Sequence, residues 1–112
     1  MPKTRNATPD RAAGITLTFL HVERARYVGG YKVEIAFSDG RKGVADLSAA
    51  LAGPVFEPLK DTDLFAQFKV DNELGTVVWP NGADLAPEYL YFQTFRHEPG
   101  LQKQFRTWGY LP

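Results

Sequence analysis

The stretch Thr76-Val77-Val78-Trp79-Pro80-Asn81-Gly82-Ala83-Asp84 determines the predicted order of strand and helix. Residues 76–79 are β-branched or aromatic, a composition that favours a strand. Residues 80–82 then predict a turn, because proline fixes φ while asparagine and glycine tolerate left-handed backbone geometry. Asp84 follows as the predicted cap of a helix over residues 84–95, with a proline tolerated in its first turn. The stretch therefore predicts a sheet that ends where the main helix begins.

The segments around this stretch predict the rest of the fold. Residues 32–37 alternate between apolar side chains and charged or small ones, the pattern of a half-buried strand. The glycine pair at residues 29–30 predicts a hairpin turn before this strand, and Ser38-Asp39-Gly40 predicts a turn after it. The remaining predicted strands are a third one that runs to about Leu47 and a pair at residues 68–71 and 74–79. An apolar stripe at helical spacing marks the core side of the main helix: Leu85, Tyr89, Phe92 and Phe95. The fold class is therefore α+β, a small antiparallel sheet (a meander plus a second strand pair) with the main helix packed on one face near the C-terminal end.

Length and composition predict one domain. The chain has 112 residues, of which 44% are apolar and 13% aromatic, enough for a single hydrophobic core. We expect a disordered leader over residues 1–14, one α+β domain over residues 15–95 and an aromatic and basic tail over residues 96–112. The absence of cysteine excludes disulfides, thiolate metal sites and cysteine nucleophiles. No segment has the run of apolar residues that a membrane span needs, so we expect a cytoplasmic protein without a membrane partner.

Several segments carry a resemblance to a bacterial family. In chain order they are Phe37-Ser38-Asp39-Gly40, Asp46-Leu47-Ser48, Val55-Phe56-Glu57-Pro58-Leu59, Leu64-Phe65 and the stretch from Thr76 to Asp84. Over residues 19–92 they closely resemble the domain-of-unknown-function family numbered 2442. The resemblance implies a small α+β fold and brings no catalytic mechanism. It also implies a bacterial protein of a kind often encoded beside another small protein, in pairs suspected of being toxin–antitoxin systems.

The sequence predicts no catalytic residue, no metal site and no cofactor. Asp84 and Glu88 lie one turn apart on the predicted helix, and Asp39 and Asp46 lie at strand ends. Paired carboxylates can serve acid–base chemistry or bind a divalent cation. Acidic residues in a first helical turn are, however, what the helix dipole favours. The two histidines are far apart and no cysteine accompanies them, so metal-ligand spacing is absent.

The turn formed by Trp79, Pro80, Asn81, Gly82 and the following Asp84 has two interpretations. As a scaffold, it ends the strand while the tryptophan fills the core. As a binding site, it would offer backbone N–H groups at a helix N-terminus to an anion or to the carboxylate of a partner. Asp84 would fill that place with its own charge, which favours the scaffold interpretation.

The tail is the other candidate binding segment. Leu101, Phe105 and Trp108 recur at helical spacing with polar residues between them, and Tyr110 follows. One interpretation is that this short amphipathic helix docks on the sheet of its own domain. The other is an exposed patch, including Arg106, that is reserved for a partner or for self-association. The tail lies outside the region of resemblance, so neither role is inherited.

Three functions are compatible with these features. The favoured one is a non-catalytic module that binds another protein, as an antitoxin-like or adaptor partner. The second is a small enzyme or ligand-binding domain that uses carboxylates near the turn from Trp79 to Asp84. The third is nucleic-acid binding through basic ends, because residues 1–11 and 96–112 each carry a net charge of +2 while the stretch between them carries −4.

Overall fold

A computed structural model of the protein describes residues 20–112 and shows the predicted α+β architecture. Three strands form one antiparallel sheet in the order β1-β2-β3, namely β1 (Val22–Gly29), β2 (Lys32–Phe37) and β3 (Lys42–Asp46). A second sheet pairs β4 (Lys69–Asp71) with β5 (Thr76–Val78). The α-helices of the described residues are α1 (Thr62–Phe65), α2 (Pro87–Phe95) and α3 (Gln102–Trp108). The predicted leader, residues 1–14, lies outside the described residues.

Side-chain alternation fixes the orientation of the three-stranded sheet. Val33, Ile35 and Phe37 are buried on its inner face, while Lys32 and Glu34 point to the other side.

The first hairpin differs by one residue from the prediction. Gly29 still pairs with Lys32, so the loop consists of residues 30–31 and not of the glycine pair.

The main helix begins at Pro87 and not at Asp84, so the predicted cap is wrong. The chain first returns alongside β5, where Asp84 bridges to Val78 and the backbone N–H of Trp79 donates to the carbonyl of Ala83. The residue before a proline is pushed out of the helical region, and Ala86 is accordingly extended, with φ −59° and ψ 142°. Pro87 therefore sets the first position that can be helical.

The core lies between the inner face of the sheet and helices α2 and α3. Leu90 and Tyr91 of α2 are fully buried and belong to the same hydrophobic cluster as the inner-face residues of β2. Gly43 allows α2 to approach β3 closely, since a Cβ atom there would lie 2.7 Å from Cγ2 of Thr94. Phe105 of α3 is also fully buried, and its ring centroid lies 5.1 Å from that of Phe92.

Candidate functional site

The turn from Trp79 to Asp84 lies in the segment that carries the family resemblance, and we call it the family-specific turn. Its Trp79 is part of the core. Its side chain is 2% exposed, and its indole Nε1–H donates a 2.8 Å hydrogen bond to the backbone carbonyl of Phe65. The rings of Phe65 and Phe68 lie against it. A buried indole needs such an acceptor, so the position of Trp79 is explained by packing and by one hydrogen bond.

Asn81 holds the turn in place through both ends of its amide. Nδ2 donates to the carbonyl of Val55 at 2.9 Å, and Oδ1 accepts from the backbone N–H of Ala83 at 3.1 Å. Gly82 has φ +88°, a geometry that glycine adopts without strain. Pro80 is exposed, as are Asn81, Gly82 and Asp84. The internal contacts support the scaffold interpretation of this turn.

The tail packs on α2. Leu101 and Phe105 are buried, while Trp108 and Tyr110 are half-buried. The ring of Tyr110 stacks on that of Phe92, with centroids 5.0 Å apart. Of the five tail residues singled out from the sequence, Arg106 is the exposed one. The aromatic side chains are therefore largely covered by the domain. They contact helix α2, whereas one interpretation of the sequence was docking on the sheet.

The candidate carboxylates are not assembled into one site. Asp39 lies in the turn before β3, where its Oδ2 accepts from the hydroxyl of Tyr91, and Asp46 lies at the other end of β3. Hydrogen bonds from the backbone N–H and the hydroxyl of Ser48 lower the pKa of Asp46. Asp84 belongs to the bridge with Val78. Within residues 20–112, no three His, Cys, Asp or Glu side chains are grouped as metal ligands.

The outer face of the three-stranded sheet carries an open groove of about 540 Å³. Strands β1, β2, β3 and β4 all contribute to it. The lining residues are Glu23, Arg24, Ala25, Arg26, Glu34, Ala36, Lys42 and Val70. We call it the cationic groove, because its three basic side chains outnumber its two carboxylates.

Strand register places the charges of the cationic groove in rows. In one row Arg24 lies opposite Ala36, which lies opposite Lys42. Residues directly opposite each other in an antiparallel sheet share a face, so the two cations flank the alanine. Ala36 is 8% exposed and lines the floor of the groove between them.

The next row differs in its charge balance. Arg26 lies opposite Glu34, which lies opposite Val44, and Nη2 of Arg26 is 3.1 Å from Oε1 of Glu34. By contrast, no carboxylate of the described residues forms an ion pair with Arg24 or Lys42. The row of Arg24 and Lys42 is therefore a place of uncompensated positive charge on the sheet.

The sequence did not reveal this groove, although a signal for it was present. From Arg24 onward, the exposed positions of β1 alternate with half-buried ones, and the exposed ends of β3 alternate with less exposed positions, which places Arg24, Arg26 and Lys42 on one face. Which of them become neighbours depends on the register of two hairpins. The one-residue shift at the first hairpin shows why this register could not be read from the glycine pair alone.

A second, smaller groove adjoins the cationic groove at Val70. It has a volume of about 370 Å³ and is lined by residues of β4, β5 and the family-specific turn, including Trp79 and Pro80. Because Val70 lines both grooves, the turn and the outer sheet face belong to neighbouring surfaces. None of the helices formed by residues 20–112 combines the length and the apolar character of a membrane span.

Comparisons with known proteins identify a family and a similar fold. The model of a family described as "Protein of unknown function (DUF2442)" matches residues 22–96. No curated protein matches the sequence. Among solved structures, the crystal structure of Putative DNA Binding Protein NE0471 from Nitrosomonas europaea ATCC 19718 is similar, with a TM-score of 0.61 and 19% sequence identity. The similarity covers 70% of this chain and 50% of that one, so this chain spans half the length of its structural neighbour. At this identity the likeness concerns the fold alone.

Proposed function

Because the chain belongs to the DUF2442 family of proteins of unknown function, we propose a function from its own surface: a non-catalytic module that binds another protein. The binding surface in this proposal is the outer face of β1, β2 and β3, which includes the cationic groove. An adaptor or antitoxin-like role is the form of this function that the family resemblance favours.

One observation carries the proposal, namely the mixture of exposed apolar and arginine side chains on this face. Val28 is 40% exposed and lies on β1 with Arg24 and Arg26. Val44 is 47% exposed and lies on β3, opposite Glu34, the ion-pair partner of Arg26. Surfaces that bind proteins combine apolar contact area with arginine, whose planar head donates several hydrogen bonds. A sheet face with this composition is suited to contact a folded partner.

The shape and charge of the groove also favour a protein over other ligands. Pockets for small molecules bury most of the ligand, whereas the cationic groove is open. Glu23 and Glu34 line the groove beside its basic residues and would repel a phosphate backbone that followed it. A protein surface with charges of both signs can pair with both.

Co-purification with matched surface variants tests the proposal. We would express the tagged full chain in its natural host and compare the wild type with Val44→Glu and Leu74→Glu. Both positions carry exposed apolar side chains, but Leu74 lies in the turn between β4 and β5 and does not line the cationic groove. The same partner protein should be recovered by the wild type and by Leu74→Glu, and its yield should fall about tenfold or more with Val44→Glu.

Two results would contradict the proposal. One is equal recovery of the partner by both variants, which would place the interface elsewhere. The other is recovery of nucleic acid without protein, in a manner that weakens steeply with added salt, which would support binding through the basic ends. Thermal unfolding of each variant provides the control, since both substitutions are at exposed sites and should leave the midpoint nearly unchanged.

A further inference from the structure

The row of Arg24, Ala36 and Lys42 has the geometry of a site for a single anionic group. Neighbouring strands lie about 4.8 Å apart, so the Cα atoms of the two cations are separated by about 10 Å across the alanine. Side chains as long as arginine and lysine can both reach a group placed above Ala36 from that separation. Ala36, Arg24 and Lys42 all line the cationic groove, so the groove extends over this row.

On strands β1 to β3 the other basic residues, Arg26 and Lys32, have acidic neighbours, which distinguishes this row from the rest of the sheet. Arg26 is paired with Glu34, and Lys60 is paired with Glu57 at 3.1 Å. Lys32 lies opposite Asp46, and its charge contributes to lowering the pKa of that carboxyl group. Arg24 and Lys42 instead lie on the same row with only Ala36 between them. Two like charges on neighbouring positions of one row repel each other, and an anion bound between them would reduce that repulsion.

We propose that Arg24 and Lys42 together bind the carboxylate of an acidic side chain in an extended segment of the partner protein. This inference rests on the proposed function and specifies the chemistry of the partner. Arginine can bind a carboxylate through two parallel hydrogen bonds, and lysine adds a point charge from the other side.

The surroundings of the row narrow the chemistry of the partner segment. Glu23 and Glu34 line the groove and would repel negative charge that extends past Arg24 and Lys42. An isolated acidic residue therefore fits better than a continuous run of negative charge. Val70 lines the groove on the β4 side, and Val44 extends the outer face beyond Glu34. An acidic residue between apolar neighbours therefore complements this surface.

The N-terminal segment of the chain itself contains an isolated acidic residue, Asp10, but its neighbours are a proline and a basic residue, Pro9 and Arg11, and not the apolar neighbours that this surface complements. Residues 1–11 carry a net charge of +2. Positive charge would be repelled by the row of Arg24 and Lys42, so charge complementarity favours an acidic partner over this segment.

Amide chemical-shift mapping on the full chain tests the assignment with two matched probes. One is a capped peptide of sequence Thr-Val-Glu-Val-Thr, and the other has glutamine in place of glutamate. We expect the glutamate peptide to shift the amide signals of Ala36 and its row neighbours and to bind about tenfold more tightly than the glutamine peptide. The double variant Arg24→Gln/Lys42→Gln should lose that difference, whereas Lys103→Gln/Arg106→Gln, at two exposed sites of α3, should keep it.

Several results would overturn the assignment. Two concern the peptides: equal affinity of the glutamate and glutamine peptides, or chemical-shift changes centred away from Ala36. A third is that a short DNA duplex binds at Ala36 more tightly than the glutamate peptide does. A fourth is that the amide signals at Ala36 shift with protein concentration alone. The last would indicate a second copy of the chain as the occupant. If the partner is still captured equally by Arg24→Gln/Lys42→Gln but is lost with Val44→Glu, the proposed function stands and this assignment fails.

Discussion

The hydroxyl group of Tyr91 donates a 2.6 Å hydrogen bond to Oδ2 of Asp39, which joins α2 to the turn between β2 and β3. The same carboxylate accepts from the backbone N–H of Arg41 through Oδ1, at 2.9 Å. The ring of Tyr91 is fully buried and contacts those of Phe37 and Phe95, with centroids 5.0 and 4.8 Å away. One polar contact thus fixes the helix to the sheet within an aromatic environment.

Removing this contact should destabilise the domain. Tyr91→Phe leaves the Asp39 carboxylate, whose side chain is 8% exposed, without one of its donors, at a cost of about 1–3 kcal/mol in the free energy of unfolding. Urea denaturation measures it. Tyr89→Phe is the matched control, because Tyr89 is on the same helix but only half-buried. Its hydroxyl accepts a hydrogen bond from Nε2 of Gln93, which is also half-buried and can bond to water in its place, so we expect a loss of about 0.5 kcal/mol. Equal losses of unfolding free energy in the two variants would show that the hydrogen bond to Asp39 does not stabilise the domain more than the hydroxyl of Tyr89 does.

The same bond should make stability depend on alkaline pH. Burial, and then the hydrogen bond to Asp39, raises the pKa of Tyr91 above its ordinary value. A group whose pKa is raised by folding contributes stability that is complete below its unfolded pKa, about 10 for tyrosine, and that is lost as pH rises above it. The difference in unfolding free energy between the wild type and Tyr91→Phe should therefore shrink above about pH 10. A constant difference between about pH 8 and about pH 11 would contradict this expectation.

Close packing of β3 against α2 predicts a marked effect of one added methyl group. In Gly43→Ala the new Cβ would lie 2.7 Å from Cγ2 of Thr94 and 3.2 Å from Cε1 of Phe95. Overpacking of this kind costs about 1–3 kcal/mol, measured by urea denaturation. Gly100→Ala is the control, because a Cβ there meets nothing within 4 Å. A Gly43→Ala variant as stable as Gly100→Ala would mean that the helix can shift away from the strand at little cost.

The elements that could be predicted are those whose signals are local. The alternation in residues 32–37 reflects burial on one side of a sheet, so strand β2 was recognisable before any contact was known. The turn at Asn81 was recognisable because the preferences of proline, asparagine and glycine depend on backbone geometry alone. The start of α2 was not, because a bridge between Val78 and Asp84 extends the sheet beyond the turn.

The parts that could not be predicted depend on contacts between distant residues. The tail had the spacing of an amphipathic helix, but that spacing does not say whether its apolar side meets the sheet, a helix or a partner. Phe105 turned out to lie against Phe92 of α2. The pairing of Arg24 and Lys42 across Ala36 likewise required the register of two hairpins. Tertiary context decides such features.

The family-specific turn should respond to substitution as a scaffold. Asn81→Ala removes the hydrogen bonds to Val55 and from Ala83, and we expect a loss of about 1–2 kcal/mol in unfolding free energy. Asn72→Ala, at another exposed turn, is the control and should change stability by about 0.5 kcal/mol or less. If Asn81→Ala instead keeps full stability and loses partner capture, the turn is a binding site.

The tail offers a test that separates structure from recognition. Phe105→Ala deletes a fully buried ring between α3 and α2 and should cost roughly 3–5 kcal/mol in unfolding free energy. Arg106→Ala, at the neighbouring exposed position, should leave stability within about 0.5 kcal/mol and also leave partner capture unchanged, because the proposed interface is the outer face of the sheet.

Urea denaturation and co-purification of the two tail variants give the necessary measurements. A stable Phe105→Ala protein would contradict the docking of α3 on α2. Loss of the partner in a fully stable Arg106→Ala protein would move the interface to the tail, since an exposed arginine without a packing role can affect capture only by contacting the partner or by changing the local charge. Charge reversal, Arg106→Glu, distinguishes these two causes. If a direct contact is lost, partner capture is reduced equally in Arg106→Ala and Arg106→Glu. If the local charge matters, capture is reduced more in Arg106→Glu, and the reduction becomes smaller with added salt.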